Sequence, residues 1–211
     1  MTAAVIALVL YVGGLVLAFG ARSFAHHRRT GDWGFRLGGA SSTGAERWAK
    51  ALFAAALVAG LAGPVLAVAE IGRIAALDLP VLHVAGFVLA VAGIAGTLYS
   101  QAQMGASWRV GVDPAERTGL VTTGVFGAVR NPVFTAMVTS SLGITLLTAN
   151  AFALVATVLL VAAVELQVRV VEEPYLLRTH PGAYPAYAAQ VGRFLPGIGT
   201  IRTTPIAGEV A

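Results

Sequence analysis

The chain alternates between long apolar runs and short segments that carry nearly all of its charge. Five runs are long and apolar enough to cross a bilayer: Ala3–Gly20, Ala51–Ala69, Leu79–Tyr99, Val133–Ala149 and Ala151–Val171. Crossing takes about 20 mostly apolar residues at about 1.5 Å rise each. Only Asn150 separates the fourth run from the fifth, which predicts a tight antiparallel helical hairpin. No basic residues precede the first run, and its arginines follow it. A cleaved signal peptide has the opposite order, so this run is expected to be a retained helix.

Composition agrees with the pattern. Hydrophobic residues make up 57% of the 211 positions and charged residues 11%. A soluble domain carries about 25% charged residues, so these helices call for a bilayer as their solvent. The chain has no cysteine, which removes disulfides, thiolate nucleophiles and sulfur-ligated metals. Its four histidines, His26, His27, His83 and His180, have no metal-ligand spacing, so no metal is expected. No basic run is interleaved with aromatics, so nucleic acid is not an expected partner.

The net charge of +4 is better read through topology. Arg22, Arg28, Arg29, Arg36, Arg47 and Lys50 lie between the first and second runs. Only Arg73 follows the second, and Arg109, Arg117 and Arg130 follow the third. The fourth is followed by none, and Arg169, Arg178, Arg193 and Arg202 lie at or after the end of the fifth. Cationic residues tend to stay on the cytoplasmic side. The expected topology is a multi-pass plasma (inner) membrane protein with its N-terminus outside and its C-terminus and active site cytoplasmic. The basic segment at residues 21–50, with His26–Arg29 as "HHRR", reads as a lipid-headgroup contact.

Glu172 and Glu173 stand together where the last run ends. At about 100° per residue, Glu165, Arg169 and Glu172 share one helical face. Glu165 with Arg169 reads as a structural ion pair. Adjacent carboxylates repel, and ending a helix does not require two, so the pair reads as a holder for a cation. The segment before the fourth run supplies a matching half. Gly119, Gly124 and Gly127 permit unusual turns. In Arg130-Asn131-Pro132, Asn is a favoured N-cap and Pro a favoured first helical residue. The free N–H groups of a helix start suit an anion. Together the halves ask for a ligand bearing a cation and a carboxylate. S-adenosylmethionine carries a sulfonium, an ammonium and a carboxylate, and it is allowed by this chemistry without being singled out. No G-x-G-x-x-G follows a strand, which sets aside a soluble nucleotide-binding fold.

"GLVTTGVFGAVRNPVF", a membrane hairpin, and "EEPYLLRTHPGAYPAYAAQVGRFLP" resemble the isoprenylcysteine carboxyl methyltransferase family over roughly residues 95–197. "GASW" at Gly105–Trp108 is similar to that family's Gly-x-x-Trp element. The family groups with the phospholipid N-methyltransferases as small membrane enzymes that use S-adenosylmethionine. The resemblance implies an all-α integral membrane protein of about five transmembrane helices. Its cytoplasmic cofactor pocket would be formed by the loop before helix 4, the end of helix 5 and the C-terminal tail. The expected organisation is N-terminal helices over 1–94, a methyltransferase core over 95–197 and a loose tail over 198–211.

The resemblance further implies that Gly124, Arg130, Asn131, Pro132 and Phe134 shape the cofactor pocket. Glu172 and Glu173 would include the acid that holds the cofactor's ammonium. Tyr184, Tyr187 and Arg193 would close the pocket from the tail, with Arg193 near the methyl acceptor. Two positions depart from the family: Asn131 replaces its usual histidine and cannot titrate, and Phe134 replaces its usual tyrosine and lacks the hydroxyl.

The implied reaction is methyl transfer to a hydrophobic or membrane-dissolved acceptor, with membrane lipids around it. A carboxylate acceptor needs only orientation, which Arg193 could supply. An amine or thiol must lose a proton, and Glu172 or Glu173 could then act as base. Two other readings are an NADPH-dependent sterol-type membrane reductase and a non-enzymatic small membrane transporter or scaffold. Two acids beside a nucleotide phosphate argue against the first, and the lack of an internal repeat argues against a transporter. Of the remaining polar and aromatic residues, His83 is expected to be an interhelical hydrogen bonder. Trp33, Trp48 and Trp108 are expected interfacial anchors. Ser140 and Ser141 are expected to allow close helix packing.

Overall fold

In a computed structural model of the chain, residues 1–33, 44–105 and 119–201 can be described. Trp108, most of the Gly105–Trp108 element, Arg36, Arg109, Arg117 and Arg202 lie outside them. The described residues are helical, without strands. The elements are α1 (Thr2–Thr30), α2 (Gly44–Val68), α3 (Pro80–Gln103), α4 (Pro132–Thr148), α5 (Ala151–Thr179) and α6 (Ala183–Gln190). Four of them, α1, α2, α3 and α5, are long and apolar enough to span a membrane, and α4 is a shorter apolar helix. All five expected apolar segments are helical, but the fourth, Pro132–Thr148, falls short of the length the other four have for a span. The helices α1, α3 and α5 continue past the expected apolar limits, because Arg22–Thr30, Ser100–Gln103 and Glu172–Thr179 extend them with polar turns.

The helices are built inside out compared with those of a soluble protein. On α3 the buried positions Gly86, Ala90, Gly93, Thr97 and Ser100 recur at alternating steps of four and three, with Gln101 buried beside the last. Val81, Val84, Val88 and Val91 of the same helix are exposed. On α5 the interior side carries Ala153, Ala156, Leu160 and Ala163, while Val155, Val158 and Val161 face outward. Lipid tails are as apolar as valine, so hydrophobicity does not press these helices together. Small inward residues let the backbones touch and gain dispersion energy.

Two helix pairs dominate the packing, α3 with α4 and α2 with α5. At Gly93 and Gly143 any Cβ would collide with the facing backbone, that of Ser140 and of Ala90 respectively. The expectation for Ser140 is met in this way. Ser141 instead bonds Thr157 across the α4–α5 hairpin at 2.8 Å, and Thr145 bonds Thr157 at 2.9 Å. The hairpin turns through Ala149, whose φ is +46°, and Asn150. The Asn150 side chain accepts from the Phe152 N–H at 2.9 Å and donates to the Ile71 carbonyl at 2.7 Å. Beside it, Asp78 pairs with both Arg73 and His83, which gives His83 a polar partner.

Two helices are locally widened into π turns, at Val16–Ala21 in α1 and Gln167–Glu172 in α5. Such turns are often found at functional sites. Residues from both segments wall the same cavity.

Candidate active site

Counted from Ala151, about 20 residues bring α5 across the hydrocarbon core near Val170. Glu172 and Glu173 therefore stand at its edge. Their surroundings differ. Glu173 is 6% exposed and lies between two guanidinium groups. Arg193 grips it with both ends of the fork, Nε to Oε1 at 2.8 Å and Nη2 to Oε2 at 2.8 Å. Arg130, also 6% exposed, donates from Nη2 to Oε1 at 2.7 Å. The two terminal nitrogens of Arg130 also donate to backbone carbonyls of the tail, those of Ala188, Val191 and Gly199, at 2.7–3.0 Å, while its buried Nε has no partner among the described residues. The carboxylate holds the Arg193 pKa above its ordinary value.

This cluster straps the tail across the start of α4. The Arg130 N–H donates to the Gly192 carbonyl at 2.8 Å, and the Asn131 N–H to the Arg193 carbonyl at 3.1 Å. Thr135 Oγ1 donates to the Phe194 carbonyl at 2.8 Å, and the Tyr187 hydroxyl to the Phe126 carbonyl at 2.5 Å. Gly192 must lack a side chain, because a Cβ there would meet the Leu195 carbonyl and the Ile198 backbone. Gly124 has φ +62°, and a Cβ on it would collide with Gln103. Gln103 in turn accepts from the Val125 N–H at 3.1 Å, fixing the loop to α3.

Asn131 and Pro132 do open α4, with Pro132 in its first turn. The Asn131 side chain makes no cap bond, however, and donates to the Arg193 carbonyl at 3.1 Å. The tail takes up the amide that a free helix start would have used. Glu172 also departs from the simple helical wheel. The π turn adds a residue to its helical turn, so Glu172 aligns with Gln167, five residues back, which donates to it at 3.2 Å. Arg169 pairs with Glu165 as expected.

Above this frame lies a cavity of about 710 Å3. That is within the range of about 300–1,000 Å3 typical of small-molecule sites. Of the residues singled out in the sequence, Arg130, Asn131, Pro132, Phe134, Glu172, Tyr184 and Tyr187 line it. Gly124, Glu173 and Arg193 do not, and they support the residues that do. The cavity also takes Gln101, Gln167 and His180, which the sequence reading missed, and Phe19, Phe53 and Leu57 from α1 and α2. Gln101 and Gln167 carried a usable signal, since each is an amide within or just beyond an apolar run. Tyr184 and Tyr187 pack edge to face, with centroids 6.2 Å apart. Burial pushes both phenols up to about 12, with the Glu173 charge adding to the effect at Tyr184. They are therefore neutral walls and hydrogen-bond donors at ordinary pH, not bases.

The comparison with known families decides the class. A family model described as phospholipid methyltransferase matches residues 81–181, which run from α3 through the glutamate pair. This segment is thus similar to the phospholipid methyltransferase family. The isoprenylcysteine carboxyl methyltransferases are related to it. The family domain and the apolar helices together describe a membrane methyltransferase. The family match also implies a methyl donor. No curated protein matches the chain. The family segment contributes Arg130 and Glu173, while α1, α2 and the strap residues after 181 lie outside it.

Removing the Glu173 charge should free the buried Arg130 guanidinium and the half-buried one of Arg193 at once. Breaking such a pair costs about 3–5 kcal/mol. Glu173→Gln should therefore lower the thermal unfolding midpoint of detergent-purified protein clearly. Glu172→Gln, which removes only a contact to Gln167, should leave it nearly unchanged. Equal midpoints for both variants would contradict the division of labour between the two acids.

Proposed function

We propose that the chain transfers a methyl group from S-adenosylmethionine to a lipophilic acceptor dissolved in the membrane. The observation that carries this reading is the two-sided character of the cavity. Glu172, His180, Tyr184 and Tyr187 line it with Glu46 and Lys50 as polar wall, and Phe53, Leu57, Phe134 and Met137 supply an apolar wall. A water-soluble donor and an apolar acceptor can meet there without either crossing the other's solvent.

The residues fit the donor. Glu172 is half-buried and lines the cavity, which suits an ammonium group. A charge-assisted hydrogen bond of this kind is worth about 1.5–3 kcal/mol. Val133 and Phe134 line the same cavity from the first turn of α4, where backbone N–H groups have no intrahelical partner and suit a carboxylate. Tyr175, Tyr184 and Tyr187 offer aromatic surface for a purine. When bound, S-adenosylmethionine supplies an electrophilic methyl on a sulfonium. The protein's work is to align donor and acceptor and to exclude water. A carboxylate acceptor needs no base. For an amine or thiol acceptor, Glu172 is the carboxylate placed to receive the proton. Glu173 and Arg193 act by holding the strap and are positioning residues in this scheme.

The working unit is the core over 95–197, because the strap residues through Phe194 are tied to the family segment. Residues 1–94 form its membrane partner, with 198–211 as a tail. The charge asymmetry supports an inner-membrane orientation with this site in the cytoplasm. A tag placed after Ala211 that is digested by protease added to intact cells would overturn that orientation.

Calorimetric titration of the detergent-purified protein tests the function. S-adenosylmethionine and S-adenosylhomocysteine should bind and NADPH should not. Glu172→Gln should weaken S-adenosylmethionine binding by roughly tenfold to a hundredfold. Binding of NADPH alone would favour a reductase, and unchanged affinity in the variant would remove Glu172 from the site.

A further inference from the structure

The cavity continues beyond the site. A second recess of about 80 Å3 lies deeper in the bundle, and Leu15, Phe19, Leu57 and Met137 wall both spaces. The helices set its direction. Tyr11 is one turn before Leu15 on α1, Gly60 is one turn after Leu57 on α2, and Ile144 follows Met137 on α4. Each of these three lines the recess, and each step leads away from Arg130 and Glu172.

The recess offers a polar ligand little to bind. Of the hydroxyls on its wall, all but that of Ser140 are spent on the protein. Tyr11 donates to the Leu57 carbonyl at 2.6 Å, Thr97 to the Gly93 carbonyl at 2.8 Å, and Ser141 pairs with Thr157. An apolar void of this kind stays dry. Packed interiors leave few voids larger than a water molecule, so an unfilled one that opens on a binding cavity calls for an occupant.

We propose that this recess seats the end of the acceptor's apolar chain, and that Tyr11, lying over Gly60, is the stop that sets the accepted chain length. The proposal rests on the methyltransferase reading and extends it to α1 and α2, which lie outside the family segment. The Tyr11 ring fits against α2 because Gly60 has no side chain. A Cβ there would stand 2.6–2.8 Å from the ring and its hydroxyl. An alanine at this position must push the ring off α2 and into the recess. Tails leave a bilayer for an apolar wall with little change in hydrophobic energy. Discrimination between chains therefore comes from fit, and one ring controls the fit.

The test uses straight-chain fatty acids of graded length, each with a terminal diazirine, photolysed with the full-length detergent-purified protein and mapped residue by residue. Probes above a threshold length should label Tyr11, Gly60 and their recess neighbours. Gly60→Ala should cut that labelling at least tenfold for the longest probe that labels wild type and spare shorter ones at the cavity mouth. Tyr11→Ala should move the limit to longer probes. Labelling confined to the outward Val9, Val12 and Val58, equal in wild type and both folded variants, would overturn the proposal. The labelling needs no methyl donor. Failure to bind S-adenosylmethionine with length-dependent labelling intact would therefore count against the methyltransferase reading alone.

Discussion

One carboxylate holds the site together. Glu173 ends the last membrane helix, Arg130 precedes α4, and Arg193 sits in the tail, so a single side chain joins three parts of the sequence. Two cations around one anion, away from water, are tolerable only when their hydrogen-bonding groups are used. Here both terminal nitrogens of Arg130 are used, on Glu173 and on tail carbonyls, and Arg193 takes both carboxylate oxygens. The tail cannot leave without exposing these charges. Tyr184 and Tyr187, which it carries, are thereby fixed as cavity walls.

The bilayer imposes the second constraint. With lipid on the outside, the helices must adhere through close contact of small residues, and glycines at 93 and 143 let α3 and α4 approach backbone to backbone. That tight pair leaves its looser partner, α1, to border the empty space. The cavity therefore lies between the family segment, which carries Gln101, Arg130, Asn131, Gln167, Glu172 and His180, and N-terminal helices, which supply much of the apolar wall together with Glu46 and Lys50.

The apolar runs made the fold readable. Five apolar helices, the Asn150 hairpin and the Glu165–Arg169 pair follow from length, spacing and charge alone. The candidate site was readable only as a set of residue types. Glu172 and Glu173 are adjacent and chemically identical, and what separates them is a π turn that no α-period count contains. Arg193 looked like a residue for the acceptor, yet its partner lies 20 positions away in sequence and is set by tertiary folding. Asn131 had the composition of a cap, but the tail backbone competes for its amide. The α1 and α2 walls were missed because a phenylalanine or leucine in an apolar run carries no sign of which cavity it faces, whereas the amide of Gln101 beside an apolar run marked it as unusual without saying where it points.

The claim at the centre of this account is that the methyl donor docks between the start of α4, the end of α5 and the tail. Direct ultraviolet photolabelling with methyl-tritiated S-adenosylmethionine, followed by peptide mapping, tests it most directly. The account predicts label on peptides spanning residues 119–137 or 164–187, displaced by excess S-adenosylhomocysteine. Displaceable label on the opposite end of the bundle, around residues 69–79, or no displaceable label at all, would contradict it.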